Sequence, residues 1–211
     1  MKILIADDHA VVRKGVRYIL SELQDTVIPD EAEDSYEALE KVRKNDYDLV
    51  LLDIAMPGKD GLETLKEIKI EKPKIPVLIL SMFPEEQFAL RALKSGASGY
   101  LTKDSIPDEL IKAIQKVLRG GKYVSESFSD ELLLSIDRDR DIERLPHETL
   151  SDREYQVMFM IAAGKTRKEI ADKLFLSVKT VSTYRTRILE KMGLKTNADL
   201  TNYVNQHNLI T

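Results

Sequence analysis

The stretch DLVLLDIAMPGKDG, residues 48–61, decides the fold. Residues 49–52 are an unbroken apolar run, Asp53 places a carboxylate at its end, and Met56-Pro57-Gly58 stops it. A short apolar run without alternation is what a strand buried on both faces of a parallel sheet requires. Taken alone, Asp53 reads as a polar strand terminus or a helix cap. Its meaning depends on what the rest of the chain brings beside it.

Residues 3–6, 26–29, 77–80 and 99–101 repeat the pattern, and amphipathic stretches lie between the runs near 10–22, 35–44, 61–71, 85–95 and 107–119. Ser35 stands as an N-cap before YEALEKV, and Pro107 opens a first turn followed by Asp108 and Glu109. Five βα units predict an α/β fold with a doubly wound parallel sheet and helices on both faces. Ligands of such sheets bind beyond the carboxyl ends of the strands, at the switch point. Those ends carry Asp7 and Asp8 after the first strand, Asp53 after the third, Ser81 after the fourth, and Thr102-Lys103 after the fifth.

Three converging carboxylates repel one another unless a cation sits among them. Oxygen donors with room for water suit Mg²⁺, and a Lys with a hydroxyl beside it suits a phosphoryl group. A carboxylate can itself be the nucleophile and form an aspartyl phosphate. His9, beside the acids, reads as a helix cap or a solvent-facing residue ahead of a ligand. Gly120-Gly121-Lys122 lacks the upstream Gly and following Ser/Thr of a phosphate loop.

The 211 residues hold no Cys, which excludes disulfides and thiolate chemistry and fits a reducing cytoplasm. The N-terminal MKILIADDHA is too short and acidic for a signal peptide, and no apolar stretch approaches a membrane span. Residues 149–211 carry 10 basic and 6 acidic side chains, against 22 and 30 in the rest. An acidic front and a basic tail predict two domains, the second suited to a polyanion. The boundaries are 1–120, a connector over 121–148, and 149–211. Within the connector, SDELLLSI (129–136) predicts a short helix capped by Ser129, and DRDRDIERLPHE (137–148) an exposed link.

The tail domain shows capping boxes at Ser151/Glu154, Thr166/Glu169 and Thr196/Asp199, with Ser177 as a further N-cap. Four helices are predicted near 151–163, 167–174, 178–192 and 197–206, with Gly164 and Gly193 at two of their ends. A short helix, a tight turn and a longer helix make a helix-turn-helix. On the longer helix Val181, Tyr184, Arg185, Ile188 and Met192 share one side, while Lys179, Ser182, Thr183, Thr186, Arg187 and Glu190 share the other. The second face could be an ordinary solvated surface or a reader of base edges and phosphates in a major groove.

ILIADDH, LVLLDIAMPGKDGLE, VLILS and GASGYLTKD resemble the receiver domain of bacterial two-component response regulators over about residues 1–120. The resemblance implies a flavodoxin-like sheet of order 2-1-3-4-5 with Asp53 as phosphoacceptor. It implies Mg²⁺ held by Asp8, Asp53 and the Ala55 carbonyl, with Asp7 acting largely through water. Lys103 would pair with the phosphoryl oxygens, Ser81 would bond them, and Tyr100 would change rotamer with Ser81. Residues 150–200 resemble the LuxR-type output domain of NarL/FixJ-type regulators, with LS-RE, G---KEIA--L--S--TV and I--KMG in register. Base-edge contacts would fall to Ser182, Thr183 and Thr186, and backbone contacts to Thr166, Lys179 and Arg187. The chain departs from the common pattern at Ser182, Tyr184 and Thr166-Arg167, where Lys, His and Ser-Asn are frequent.

The function implied is that of a cytoplasmic transcriptional regulator phosphorylated at Asp53 by a histidine kinase. It would bind double-stranded promoter DNA as a homodimer through two recognition helices, without contact to a membrane. Leu200 and Tyr203 on the last helix are candidates for the dimer face or for the domain's own core. Two other classes are a phosphorylation-independent factor whose receiver serves as an interaction module, and a phosphatase using the acid cluster.

Overall fold

A computed structural model describes residues 1–23, 27–129, 145–207 and 209. The chain divides into two compact units, residues 1–135 and 136–211. In the first, β1 (Lys2–Ala6), β2 (Ile28–Ala32), β3 (Leu49–Asp53), β4 (Val77–Ser81) and β5 (Gly99–Thr102) form one sheet of order β2-β1-β3-β4-β5. Every pairing is parallel. The connecting helices are α1 (Ala10–Leu20), α2 (Ser35–Lys44), α3 (Gly61–Glu71) and α4 (Glu85–Lys94), and α5 (Ile106–Leu118) follows β5 through a 3₁₀ turn at Lys103–Ser105.

The inner strands are apolar because both their faces are covered. Ile3, Ile5, Leu49, Leu51, Leu78 and Leu80 form one core with Val16 and Leu20 of α1 and with Leu110, Ile114 and Val117 of α5. Alternate residues Leu4, Val50, Leu52, Ile79 and Tyr100 turn to the opposite face and are also fully buried. Truncating any of these leucines to Ala would cost about 2–5 kcal/mol, transfer and cavity together.

Two local expectations require correction. The second strand occupies Ile28–Ala32 rather than 26–29, and Thr26 lies outside the described residues. As an edge strand β2 is half-covered, so Asp30 and Glu31 belong to it and the apolar run misplaces it. Helix α2 is capped by Asp34, whose side chain accepts from the Glu37 N–H, and the buried Ser35 is its first residue.

After α5 the chain returns to the sheet. Tyr123 forms a parallel bridge to Gly99, its N–H donating to Ser98 O (3.0 Å) and its carbonyl accepting from Tyr100 N (2.9 Å). The Glu85 carboxylate at the start of α4 accepts from Ser125 N at 2.8 Å. Residues 126–129 are helical, with the Ser125 hydroxyl accepting from Phe128 N, so Ser125 and not Ser129 caps this turn. The remainder of the short helix predicted over 129–136 and most of the charged link lie outside the described residues.

The second unit is helical: a 3₁₀ turn at Pro146–Thr149, then α6 (Asp152–Ala162), α7 (Arg167–Lys173), α8 (Val178–Met192) and α9 (Asn197–Gln206). Ser151, Thr166, Ser177 and Thr196 cap the four helices with their side chains, the first, second and fourth as full capping boxes. Gly193 ends α8 in the left-handed conformation at φ +67°, which a side chain would oppose. Between α7 and α8, Phe175 turns the chain at φ +55° and Leu176 N bonds Ala171 O. Val157, Met158, Ile170, Val181, Ile188, Leu200 and Val204 are buried along the mutually packed helices.

Candidate functional site

The strand order reverses direction at β1, with β2 on one side and β3 on the other. The register Ala6↔Leu52 therefore sets Asp7 beside Asp53. Asp53 is the last residue of a wholly buried strand and is 1% exposed, and Asp7 is fully buried. Gly61 permits this arrangement: a Cβ there would fall 2.2 Å from Ile54 Cα and 2.8 Å from the Asp53 carbonyl. Lys103, at the end of β5, sends its ammonium to Asp53 Oδ2 and to Asp7 Oδ2, each at 2.7 Å. Asp53 Oδ1 accepts from Ala55 N at 2.9 Å, and Asp7 Oδ1 from His9 N at 2.8 Å.

One ammonium thus faces a surplus of negative charge. Asp7, Asp8, His9 and Asp53 each offer a ligand atom, all within 4.8 Å of one another. Asp8 Oδ1 is buried and makes no hydrogen bond among the described residues, and the buried Asp7 Oδ2 faces the Lys103 ammonium. The close neighbour of that Asp8 oxygen is His9 Nδ1 at 2.9 Å. Three carboxylates served by one shared ammonium, with a buried Asp8 oxygen that no donor among the described residues bonds, fit a hard divalent cation. Burial pushes the Asp53 carboxyl above the ordinary carboxylate range, and Asp7 reinforces this against the pull of Lys103. Burial opposes the charge on Lys103, yet Asp53 and Asp7 together hold its ammonium above the usual lysine value. His9 occupies the N-cap position of α1, but its exposed side chain caps nothing and leans toward Asp8.

Ser81 ends β4 with a fully buried hydroxyl that accepts from Phe83 N at 3.0 Å. Tyr100, also fully buried, donates its phenol to Phe83 O at 2.9 Å. Burial keeps that phenol protonated far beyond its ordinary range. The residues expected to switch together are therefore tied to one loop, between β4 and α4. The contact shown for Ala55 is its N–H on Asp53.

Arg13 lies outside the motifs of the sequence yet belongs to the surroundings of the site. It lies on the buried stripe of α1 with Val16 and Leu20, and its guanidinium reaches the Asp7 carbonyl, Glu31 and Glu33. A charged residue at an apolar-stripe position was the available signal.

In the helical unit, Lys179, Thr183, Thr186 and Arg187 are exposed along α8 and Ser182 is half-buried. Lys179, Thr180, Thr183, Tyr184 and Arg187 line a shallow concavity. The hydroxyls of Ser182, Thr183 and Thr186 donate to the carbonyls four residues back. Thr166 is a helix cap first: its N–H and hydroxyl both bond Glu169 Oε2, at 2.8 and 2.7 Å. Arg167 reaches Ser182 at 3.4 Å and stands on the same side, a basic neighbour that the sequence reading did not include. Leu200 is fully buried, so it serves the domain's own core and offers no face to a partner. Tyr203 is half-buried, its phenol 2.9 Å from His147 Nδ1 and its ring 4.3 Å from that of His207. Among the described residues no helix is long and apolar enough to cross a membrane.

Comparison with known proteins assigns a family to each of the two parts. Residues 3–115 match the response regulator receiver domain, and residues 148–204 match the bacterial regulatory proteins of the luxR family. The oxygen regulatory protein NreC of Staphylococcus carnosus is 38% identical over all of this chain and 99% of its own, and that of Staphylococcus aureus is 39% identical over the same shares. Among solved structures, the RcsB response regulator of Salmonella typhimurium aligns over 98% of this chain and 97% of its own, with 29% identity and a TM-score of 0.67. RcsB of Salmonella enterica serovar Typhimurium bound to promoter rprA in the presence of the phosphomimetic BeF3⁻ aligns over 97% and 98%, with 29% identity and a TM-score of 0.63. The chain therefore belongs to the response regulators, as a NarL/FixJ-type two-component transcription regulator with a receiver domain and a LuxR-type helix-turn-helix DNA-binding domain.

Proposed function

We propose that Asp53 accepts a phosphoryl group from a histidine kinase with Mg²⁺ bound, and that this modification controls dimerisation and promoter binding. The carrying observation is the Asp53 carboxylate itself. It is buried at a strand end, faces Asp7 and Asp8, and shares one ammonium with Asp7.

An Asp53 oxygen attacks phosphorus, the bond from phosphorus to the donor breaks, and the donor leaves with the electron pair. Lys103 balances the charge gathering on the phosphoryl oxygens, and Ala55 N–H holds the acceptor carboxylate in one orientation. Asp7, Asp8 and Asp53 would hold Mg²⁺, which when bound offsets charge on the transferring group. Ser81 offers its hydroxyl to the phosphoryl group. Turning to do so carries the Ser81 oxygen away from Phe83 N, whose bond it accepts, and so loosens the loop that Tyr100 grips.

Promoter recognition falls to α8. Thr183, Thr186 and Ser182 face base edges, and Lys179 and Arg187 face phosphates. The RcsB structures with DNA, with BeF3⁻, and as two dimers on two parallel DNAs support the same use of this chain. Acting on promoter DNA, the regulator would work in the cytoplasm.

A Phos-tag gel after incubation with acetyl phosphate tests the acceptor. Wild type shifts and Asp53→Ala does not; an unshifted wild type sinks the assignment. Selection of bound DNA fragments with and without phosphorylation tests the output. Lys179→Ala should weaken binding to all sequences and lower the salt slope by about one, while Thr183→Ala should alter the selected site.

A further inference from the structure

We propose that Arg13 is a positioning residue for the acid cluster, holding the loop of Asp7 and Asp8 in the geometry that takes a divalent cation. This rests on the reading of that cluster as the metal and phosphoryl site. Arg13 is 5% exposed although its guanidinium is a permanent charge. Such a group is tolerated in an interior only when its donors are spoken for. Its Nε bonds Glu31 at 2.8 Å, one terminal nitrogen bonds Glu33 at 2.5 Å, and the other bonds the Asp7 carbonyl at 2.7 Å. Glu31 also takes Arg17 at 3.0 Å, so the carboxylate that anchors the fork is itself anchored.

The third of these bonds links the fork to the site. The Asp7 N–H donates to Ala32 O of β2, and the Asp7 carbonyl accepts from Arg13. Both backbone polar groups of Asp7 are thus taken, and its Oδ1 is held by His9 N. The carbonyl bound by Arg13 belongs to the peptide joining Asp7 to Asp8, so this bond sets the plane from which the Asp8 side chain departs. An arginine suits the task because its planar fork fixes three directions at once, and a lysine ammonium does not. Were Arg13 only a tie between α1 and β2, its pairs with Glu31 and Glu33 would suffice and the Asp7 carbonyl would be free. Partners at this remove from a metal commonly govern affinity by about 10–100-fold.

The test uses the full chain with Mn²⁺ as probe, bound ion being read by loss of the free-ion electron paramagnetic resonance signal well below the melting temperature. Arg13→Met should bind Mn²⁺ about tenfold more weakly than wild type while retaining its circular dichroism spectrum. Labelling by acetyl phosphate should need correspondingly more Mg²⁺ to reach half its maximal rate and recover at saturation. Should Arg13→Met not fold, Arg13→Lys decides. It keeps a cation near Glu31 but lacks the planar fork that fixes Glu31, Glu33 and the Asp7 carbonyl together, so weaker Mn²⁺ binding supports the assignment. Wild-type affinity in a folded Arg13→Met, or in Arg13→Lys if the first is unfolded, overturns it. Asp8→Asn separates the two levels: if that variant binds Mn²⁺ like wild type, the acids are not the metal site, and this assignment falls with that reading.

Discussion

Asp53→Asn should make the metal-free receiver more stable. The acid atoms of Asp7, Asp8 and Asp53 lie within 4.8 Å of one another. At an effective dielectric constant of ~20, each such pair of charges repels by roughly 3.5 kcal/mol, so Asp53 meets roughly 7 kcal/mol from its two neighbours. Its pair with Lys103, at 2.7 Å, returns roughly 6 kcal/mol on the same scale. Coulomb terms therefore nearly cancel, and the desolvation of a carboxylate that is 1% exposed remains. Asn keeps an oxygen for the Ala55 N–H, loses the charge, and leaves Lys103 to Asp7 alone. The net gain should be about 2 kcal/mol, or about 8 °C in the melting temperature of a domain this size.

Scanning calorimetry in EDTA near neutral pH reads this directly, with the transition of residues 136–211 as an internal reference. The pH dependence has a definite sign. A carboxyl whose folded value lies above its unfolded one, as burial makes Asp53, contributes stability below the ordinary carboxylate range. That stability is lost as pH rises through the folded value. The advantage of Asp53→Asn should accordingly grow with rising pH and vanish in acid. Added Mg²⁺ should raise the wild-type transition and leave the variant's nearly unmoved. A lower melting temperature for Asp53→Asn at neutral pH would refute the reasoning, since it would mean that Lys103 overcompensates the other two acids.

Three further outcomes follow from particular contacts. Gly61→Ala drives a methyl into the Ile54 and Asp53 backbone and should cost about 3 kcal/mol or more in urea denaturation, with loss of acetyl phosphate labelling. Lys191→Met removes the 2.6 Å partner of Glu154, whose side chain is 4% exposed. Lys191 is 43% exposed, which screens the pair, so the loss should destabilise the helical unit by about 1 kcal/mol at neutral pH. Burial raises the Glu154 carboxyl, but its bonds to Lys191 and Ser151 hold it below the ordinary range. That stability is present above the unfolded value and lost as pH falls through the folded one, so wild type and variant should converge in acid melts. Glu85→Ala frees Ser125 N and should speed amide exchange there by about tenfold, the scale of one hydrogen bond.

The inner strands were legible because burial on both faces leaves no freedom of composition: residues 49–52 and 77–80 are apolar at every position. Strand β2 was displaced because an edge strand tolerates Asp30 and Glu31, and its register is set by pairing with β1. Asp34 and Ser35 are both good N-caps, and only the bond to Glu37 N distinguishes them. That Asp7, Asp8, Asp53 and Lys103 lie together was legible through topology, since strand order brings separated loops to one edge. Arg13 was not, because its partners Glu31 and Glu33 lie 18 and 20 residues away on an edge whose register the sequence leaves open. Leu200 could be buried or a partner's contact on helical periodicity alone, and only the packing of α9 on α6 distinguishes them.

The return of Tyr123 to the sheet has a consequence for how the receiver behaves when separated from the rest. β5 is an outer strand, and the Ser98 carbonyl and Tyr100 N–H point away from β4. Left open, they would form a ready template for a strand from another molecule, the usual origin of edge-to-edge aggregation. Tyr123 closes both. A receiver fragment cut just after α5 would carry an unguarded edge, whereas one extending past Phe128 keeps it covered.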